Sequence, residues 1–306
     1  MLSHHVPILL QPITDFLIEG LKNLPDTAVP GVILDCTLGG GGHASAILTE
    51  MQKDPRLMKH CVLGVDRDPD AIARDQVKFS AELSRGSLEI AHGSFSDALK
   101  FVAGRPIYGL LADLGISSDQ IDSQTRGFSF RYAAPLDMRM NTSIGVSLAD
   151  YLATVSESEL ADVIWKYGEE RMSRKIARRL TDLRSRGESP KDTLQLAEVI
   201  WQIFPPAQRY KGMHPATRTF QALRIVVNRE LEELETLCAS IFPAVAARGH
   251  IAILSFHSLE DRPVKQALRN QELYELPSRK AIQASDDEVD ENSRSRSAKL
   301  RLAIRK

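Results

Sequence analysis

The residues best suited to chemistry stand where short apolar runs end. "GVILDCTL" (31–38) runs into Gly39, Gly40, Gly41, Gly42, His43 and Ala44. Glycine loses more backbone freedom on ordering than any other residue. Four in a row argue that the chain passes close to a phosphate, a nucleoside or another piece of protein. The spacing Gly39-x-Gly41-x-x-Ala44 fits a dinucleotide fingerprint, and Asp66 closes the next apolar run, "HCVLGVDRD", 22 residues beyond Ala44. A carboxylate there can accept both hydroxyls of a ribose, each charge-assisted bond contributing about 1.5–3 kcal/mol. Nicotinamide dinucleotides and S-adenosylmethionine both carry that ribose. After the third run comes Phe95, which is either an apolar face for an adenine ring or a core contact at a helix start. After the fourth comes "ADLGISSDQIDSQTRGFSFRYAAPLDMRMN", dense in Asp113, Gln120, Arg126, Phe128, Phe130, Arg131, Tyr132 and Arg139. A loop this long is functional or disordered, and its aromatics argue against disorder.

These positions imply a frame. The four runs, at 31–38, 60–68, 87–93 and 107–115, alternate with stretches of helical spacing, and "HIAILSFHS" (250–258) supplies a fifth. That alternation predicts a parallel, doubly wound sheet with its ligand crevice at the carboxyl ends of the strands. Asp68 before Pro69 predicts a capped helix start. From Gly115 to about Gly212 no further strand of this kind is read. Leu160, Val163, Ile164, Tyr167, Met172, Ile176 and Leu180 recur near helical period behind Ser156-Glu157-Ser158-Glu159, which reads as a capping box. The expected division is a discontinuous α/β domain, 1–133 and 213–306, interrupted by a helical domain at 134–212. A single long helix from Ala216 to Phe242 should lead into the fifth strand. The tail "SAKLRLAIRK" alternates as a half-exposed edge strand would, and 271–293 reads as a loop.

The 306 residues carry a net charge of −1, with 43% hydrophobic and 26% charged content, so neither a disordered chain nor a uniformly basic coat is implied. Charge is segregated, however. Residues 166–186 hold eight Lys/Arg against three acids, the last fourteen hold six and no acid, and "SDDEVDEN" at 285–292 is acidic. Clustered base of this kind can steer an anionic partner to one face, or it marks only solvated helix faces and a floppy acidic loop. Cys36, Cys61 and Cys238 are scattered in apolar sequence, so neither a disulfide framework nor a metal site is expected. With no leader read in "MLSHHVPILLQP" and no apolar run of membrane-spanning length, the expectation is a cytoplasmic protein without a membrane partner.

"GGGGHASAIL", "GVDRDPDAI", "HGSFSD", "DLGISSDQIDSQTRGFSFRYAAPLDMRM", "YGEERMSRKIARRL", "HPATRTFQALRIVVNRELEELE" and "LSFHSLEDR" occur in that order. Together they closely resemble the bacterial small-subunit ribosomal RNA cytosine-N4 methyltransferase family (RsmH, formerly MraW), from about His5 to the tail. The resemblance implies a class I S-adenosylmethionine-dependent methyltransferase fold, Rossmann-like with a mostly parallel sheet and an inserted helical substrate-recognition domain. It implies methylation of the exocyclic N4 of a decoding-centre cytidine of 16S ribosomal RNA in the assembled small subunit, with S-adenosylmethionine as cofactor. The family's cofactor contacts fall on Gly41, Gly42, His43, Asp66, Phe95, Asp113 and Gln120, and on that reading the glycines clear room for the methionine end of the ligand. Two features depart from the pattern. Pro263 replaces an aliphatic residue, and it fits a first helical turn if Asp261 is the cap but lies too deep if Ser258 is; the Asp261 cap is favoured. The spacer before the tail is short and acidic.

Methyl transfer needs the nucleophile in line and about 3 Å away, so positioning can supply much of the rate. The cytosine amine is a weak nucleophile that gains from an acceptor for its proton. Many amino-methyltransferases place an acid or amide, two prolines and an aromatic after the fourth strand. Here Asp113-Leu114-Gly115-Ile116-Ser117-Ser118 has neither proline nor aromatic. Asp113 is therefore the candidate for the reaction centre, with Phe128, Phe130 or Tyr132 as the stacking face for an extruded base. His43, His214 and His257 read as scaffold or cofactor contacts before bases. Arg126, Arg131, Arg139, Arg174, Arg178, Arg179 and Arg218 are candidates for phosphate contacts, which position RNA without reading it. The rival readings are a nicotinamide-dependent oxidoreductase and a ribosome-assembly or RNA-binding factor without catalysis. The oligomeric state is not set by the sequence, and a homodimer stays open.

Overall fold

The computed structural model describes residues 7–210 and 212–306. Residues 1–6, with His5 and the start of the stretch read for a leader, and Lys211 lie outside them. The chain divides into two compact units, 1–115 with 231–306, and 116–230. The divisions fall at 115/116 and 230/231, so 116–133 and 213–230 lie with the helical unit, not with the sheet.

The first unit is a seven-stranded sheet in the order β3-β2-β1-β4-β5-β7-β6. Its strands are β1 (Val32–Asp35), β2 (Cys61–Asp66), β3 (Leu88–His92), β4 (Ile107–Asp113), β5 (Val245–Ser255), β6 (Tyr274–Glu275) and β7 (Lys299–Arg305). The first five pair in parallel and β7 runs antiparallel to both β5 and β6. β1 and β4 are buried almost throughout, as a sheet covered on both faces requires. This is the expected mostly parallel, Rossmann-like, class I architecture. Strand order reverses between β1 and β4, the switch point at which such sheets bind ligands. The tail strand is not the edge: β6 and an isolated bridge from Ile282 to Leu300 cover its outer side.

Two helices start and stop as side chains dictate. Asp68 accepts the Asp70 N–H at 3.0 Å and caps Pro69–Lys78, as expected. The helix ends at buried Phe79, and a separate helix, Ser80–Arg85, follows. At the end of β5, the helix Ser258–Ala267 is capped by His257, whose ring accepts the Glu260 N–H at 3.3 Å. Pro263 therefore sits inside the helix, where it removes a backbone hydrogen bond and crowds the carbonyl one turn back. The Asp261 cap fails because Arg301 holds that carboxylate through two bonds of 2.6 and 3.1 Å.

The second unit is helical, and no named strand occurs among its described residues. Its core gathers Phe128, Met138, Leu160, Ile164, Ile176 and Phe220. Ser156 accepts the Glu159 N–H at 3.2 Å at the start of Glu157–Gly168. Glu169, at φ 50°, turns the chain into a second helix, Ser173–Ser185. The long helix expected from Ala216 is likewise cut. Thr217–Asn228 ends at Arg229 (φ 51°), where Asn228 donates to Met138 O and accepts from Met140 N at 2.7 Å each. No helix among the described residues is long and apolar enough to cross a membrane.

Candidate active site

The strand tips around the switch point carry acids. Asp35 ends β1 and is fully buried; its Oδ1 accepts the Thr37 N–H at 3.0 Å. The Thr37 hydroxyl in turn accepts the Asp113 N–H at 2.6 Å, tying the tips of β1 and β4 together. Asp66 ends β2 and spends both oxygens on the backbone, accepting Gly39 N–H at 2.7 Å and Asp68 N–H at 2.8 Å. It thus fixes the glycine loop directly, while its remaining lone pairs are compatible with ribose hydroxyls. Glu260, buried behind the tip of β5, accepts the Phe256 N–H at 2.8 Å. Burial pushes the Asp35 carboxyl up to about 7, with the charges of Asp66 and Asp75 adding to it. Asp113 is pushed up to about 8 by burial and by Asp35 and Glu260, and Asp66 is also raised by burial.

The glycine run does three different things. Gly39 and Gly41 adopt φ 58° and 67°, a conformation that favours glycine. A methyl group on Gly41 would overlap the Phe79 ring, and one on Gly42 would overlap Pro7 Cγ. Those two glycines admit the chain's own side chains, which corrects the expectation that the run as a whole clears room for a ligand. A methyl on Gly39 or Gly40 would meet nothing closer than 3.7 Å, so open space lies on that side. Gly41 also N-caps the helix Gly42–Gln52, whose first-turn N–H groups have no partner within the helix. His43 is buried and its Nε2–H donates to Ile8 O at 3.2 Å, a scaffold bond that occupies one ring nitrogen.

Phe95 begins a short 3-10 turn after β3, half-buried against the core, with Ser94 and Asp97 forming a capping box before it. Gly41, Gly42, His43, Asp66, Phe95 and Asp113 thus belong to the first unit. Gln120 belongs to the second, where it is buried and closes a capping box with Ser117 at 3.1 and 3.2 Å.

The three aromatic candidates differ sharply. Phe128 is buried in the core of the second unit. Phe130 is half-buried, its ring 4.7 Å from His214 and 4.8 Å from Phe220. Tyr132 is 52% exposed. The arginines divide in the same way. Arg126 is buried and donates to the carbonyls of Arg139 and Met140, so it braces a turn and is not available to a phosphate. Arg139 is held by Asp137 through two 2.8 Å bonds, and Arg131 lies 3.6 Å from Asp122. Arg218 donates to Glu169 O at 3.3 Å. Arg174, Lys175, Arg178 and Arg179 are exposed along one face of Ser173–Ser185, opposite buried Ile176, Ala177 and Leu180.

Asp35, Thr37 and Glu260 were not singled out from the sequence. Asp35 had a signal, a carboxylate closing an apolar run in "VILDCTL". Glu260 had none, because its role depends on where β5 ends.

A family model described as the MraW methylase family matches residues 2–306. The chain belongs to that family. Curated relatives agree over most of their length. The ribosomal RNA small subunit methyltransferase H of Synechococcus elongatus is 44% identical over 302 residues, covering 99% of this chain and 95% of the relative. Its namesake in Nostoc punctiforme is 46% identical over 287 residues, covering 94% and 90%. That of Sorangium cellulosum is 45% identical over 278 residues, covering 90% and 85%. In a MraW methylase, a crevice lined by acids is chemically apt. A sulfonium cofactor with a free amino group favours the ionised form of acids whose pKa values burial has raised, whereas a pyrophosphate would favour their neutral form.

Proposed function

We propose that this protein methylates the exocyclic N4 of a decoding-centre cytidine, cytidine 1402 in the usual rRNA numbering, in the 16S RNA of the small ribosomal subunit, in the cytoplasm. The observation that carries this reading is the set of carboxyls at successive strand tips, Asp35, Asp66 and Asp113, with Glu260 behind them. They favour a cationic ligand. S-adenosylmethionine, when bound, supplies the electrophilic methyl group. Asp66 would hold the ribose, Phe95 would lie against the adenine, and the first-turn N–H groups of Gly42 and His43 would face the ligand beside Gly41, whose own N–H is spent on Leu38 O at 2.7 Å; Gln120 is a contact implied by the resemblance alone.

Asp113 accepts a hydrogen bond from the cytosine amine and takes its proton. Its raised pKa suits that task, since a base poised near the working pH is the most effective. Tyr132 provides the face on which the extruded base stacks. Arg174, Lys175, Arg178 and Arg179 supply a phosphate-binding face on the inserted helical, substrate-recognition domain.

Isothermal titration separates this reading from an oxidoreductase: S-adenosylmethionine should bind and NAD or NADP should not. Incorporation of tritiated methyl groups into small subunits separates it from a silent assembly factor; cofactor binding without incorporation would favour the latter.

A further inference from the structure

The acidic segment near the C-terminus is not a solvated loop. Residues Asp286–Glu291 form a short helix capped by Ser285, whose hydroxyl accepts the Glu288 N–H at 3.2 Å. Glu288 reaches across 279 positions of sequence, and its Oε1 accepts the Leu9 N–H at 2.6 Å. Leu9 is the N-cap of the helix Leu10–Lys22, is buried, and stands at φ 52°, a left-handed conformation that costs a side-chain-bearing residue free energy. Its side chain supplies no cap bond. Glu288 therefore does what the glutamate of a capping box does, from the other end of the chain, with its carboxylate at the favourable pole of the helix.

The two residues before Leu9 lie on the glycine loop. Ile8 O receives the His43 Nε2–H, and Pro7 occupies the place a side chain on Gly42 would need. The helix behind them is anchored at its far side by His250, whose ring bonds Phe16 O at 2.7 Å. The lead-in Pro7-Ile8-Leu9 is thus clamped at Leu9 by Glu288 and pressed against Gly42 and His43.

We propose that Glu288 is a positioning residue for the cofactor: it sets the place of Pro7 and Ile8, and through them the geometry of Gly42 and His43. This rests on the reading of Gly42 and His43 as cofactor contacts. It gives the acidic spacer a role in the methyl-donor site, where its composition alone reads as a loop.

The test compares Glu288→Ala and Glu288→Gln in the full chain. Glutamine keeps an acceptor oxygen and removes the charge. Glu288→Ala should weaken S-adenosylmethionine binding by about three- to tenfold in titration calorimetry. Glu288→Gln should bind as the parent protein does. KM for the cofactor should rise in the alanine variant with kcat at saturation unchanged. Amide exchange should quicken in peptides spanning 7–9 and 39–45 in the alanine variant only. Parent-like binding by Glu288→Ala in a folded protein overturns the proposal, as does equal weakening by both variants, which would trace to charge. A loss of melting temperature with unchanged affinity overturns it too, since it marks Glu288 as a stability contact alone. If the parent protein itself fails to bind S-adenosylmethionine, the proposed function fails first.

Discussion

Asp113 carries the heaviest chemical assignment, and its environment makes the assignment measurable. Its carboxyl is raised from 3.8 to about 8, so between those values the folded state holds a proton that the unfolded state has lost. Stability must therefore fall as pH rises through that window. Asp113→Asn removes the penalty: its melting temperature should exceed the parent's, by more at pH 8.5 than at pH 5. A constant or shrinking difference would show that the carboxyl is not held neutral. The same variant should lose about 10²–10⁴-fold in methyl transfer if the residue takes the amine proton, and the parent's rate should rise with pH, half-maximal near 8 and levelling off above it. The aromatics give a second contrast. Phe128→Ala empties a core position and should cost about 3–5 kcal/mol in denaturant unfolding. Tyr132→Ala should leave stability within about 0.5 kcal/mol while weakening productive RNA binding by about 1–3 kcal/mol. The sequence alone did not separate these rings, because alternating aromatics in an irregular loop carry no period that tells inside from outside.

At the scale of elements, the four strands of the first half and the helical stretches between them were legible because parallel strands read as short apolar runs, and each ended on a polar or glycine residue that marked the crevice. What escaped the reading was set by distant partners. Asp261 looked free to cap a helix, but Arg301, 40 positions away, holds it, so His257 takes the cap and Pro263 falls inside the helix. The break at Arg229 follows from Asn228 serving the backbone at Met138 and Met140. The β7 tail was misplaced as an edge because the two-residue β6 is too short to show a pattern. Pro263→Ala should restore a helical hydrogen bond and raise stability, by up to about 3 kcal/mol in a helix interior; an unchanged or lower melting temperature would mean that the ring packs favourably enough to offset its cost. The Ser173–Ser185 helix bears a prediction of its own. Replacing Arg174, Arg178 and Arg179 by glutamine should flatten the dependence of log affinity for RNA on log salt by about 2–3. An unaltered slope would remove this face from the RNA-binding surface.

At the scale of the whole molecule, two kinds of surface serve two kinds of charge. The sheet unit concentrates carboxyls at its strand tips, although the chain as a whole is nearly neutral at −1. The helical unit displays exposed cations along one helix. Acid suits a sulfonium donor and base suits a polyphosphate acceptor, and the net charge conceals both. The residues of the proposed cofactor site are assigned one by one from the resemblance. The bonds that connect them, Asp66 to Gly39 and Thr37 to Asp113, were not legible, because they join segments that only the fold brings together. The most direct test of the account is to incubate the protein with S-adenosylmethionine and small subunits lacking the modification, then map the 16S RNA by mass spectrometry of nuclease fragments. The expected result is one added methyl group on the N4 of a single decoding-centre cytidine, greatly reduced with Asp113→Asn. No added methyl group, or one on another base or atom, would contradict it.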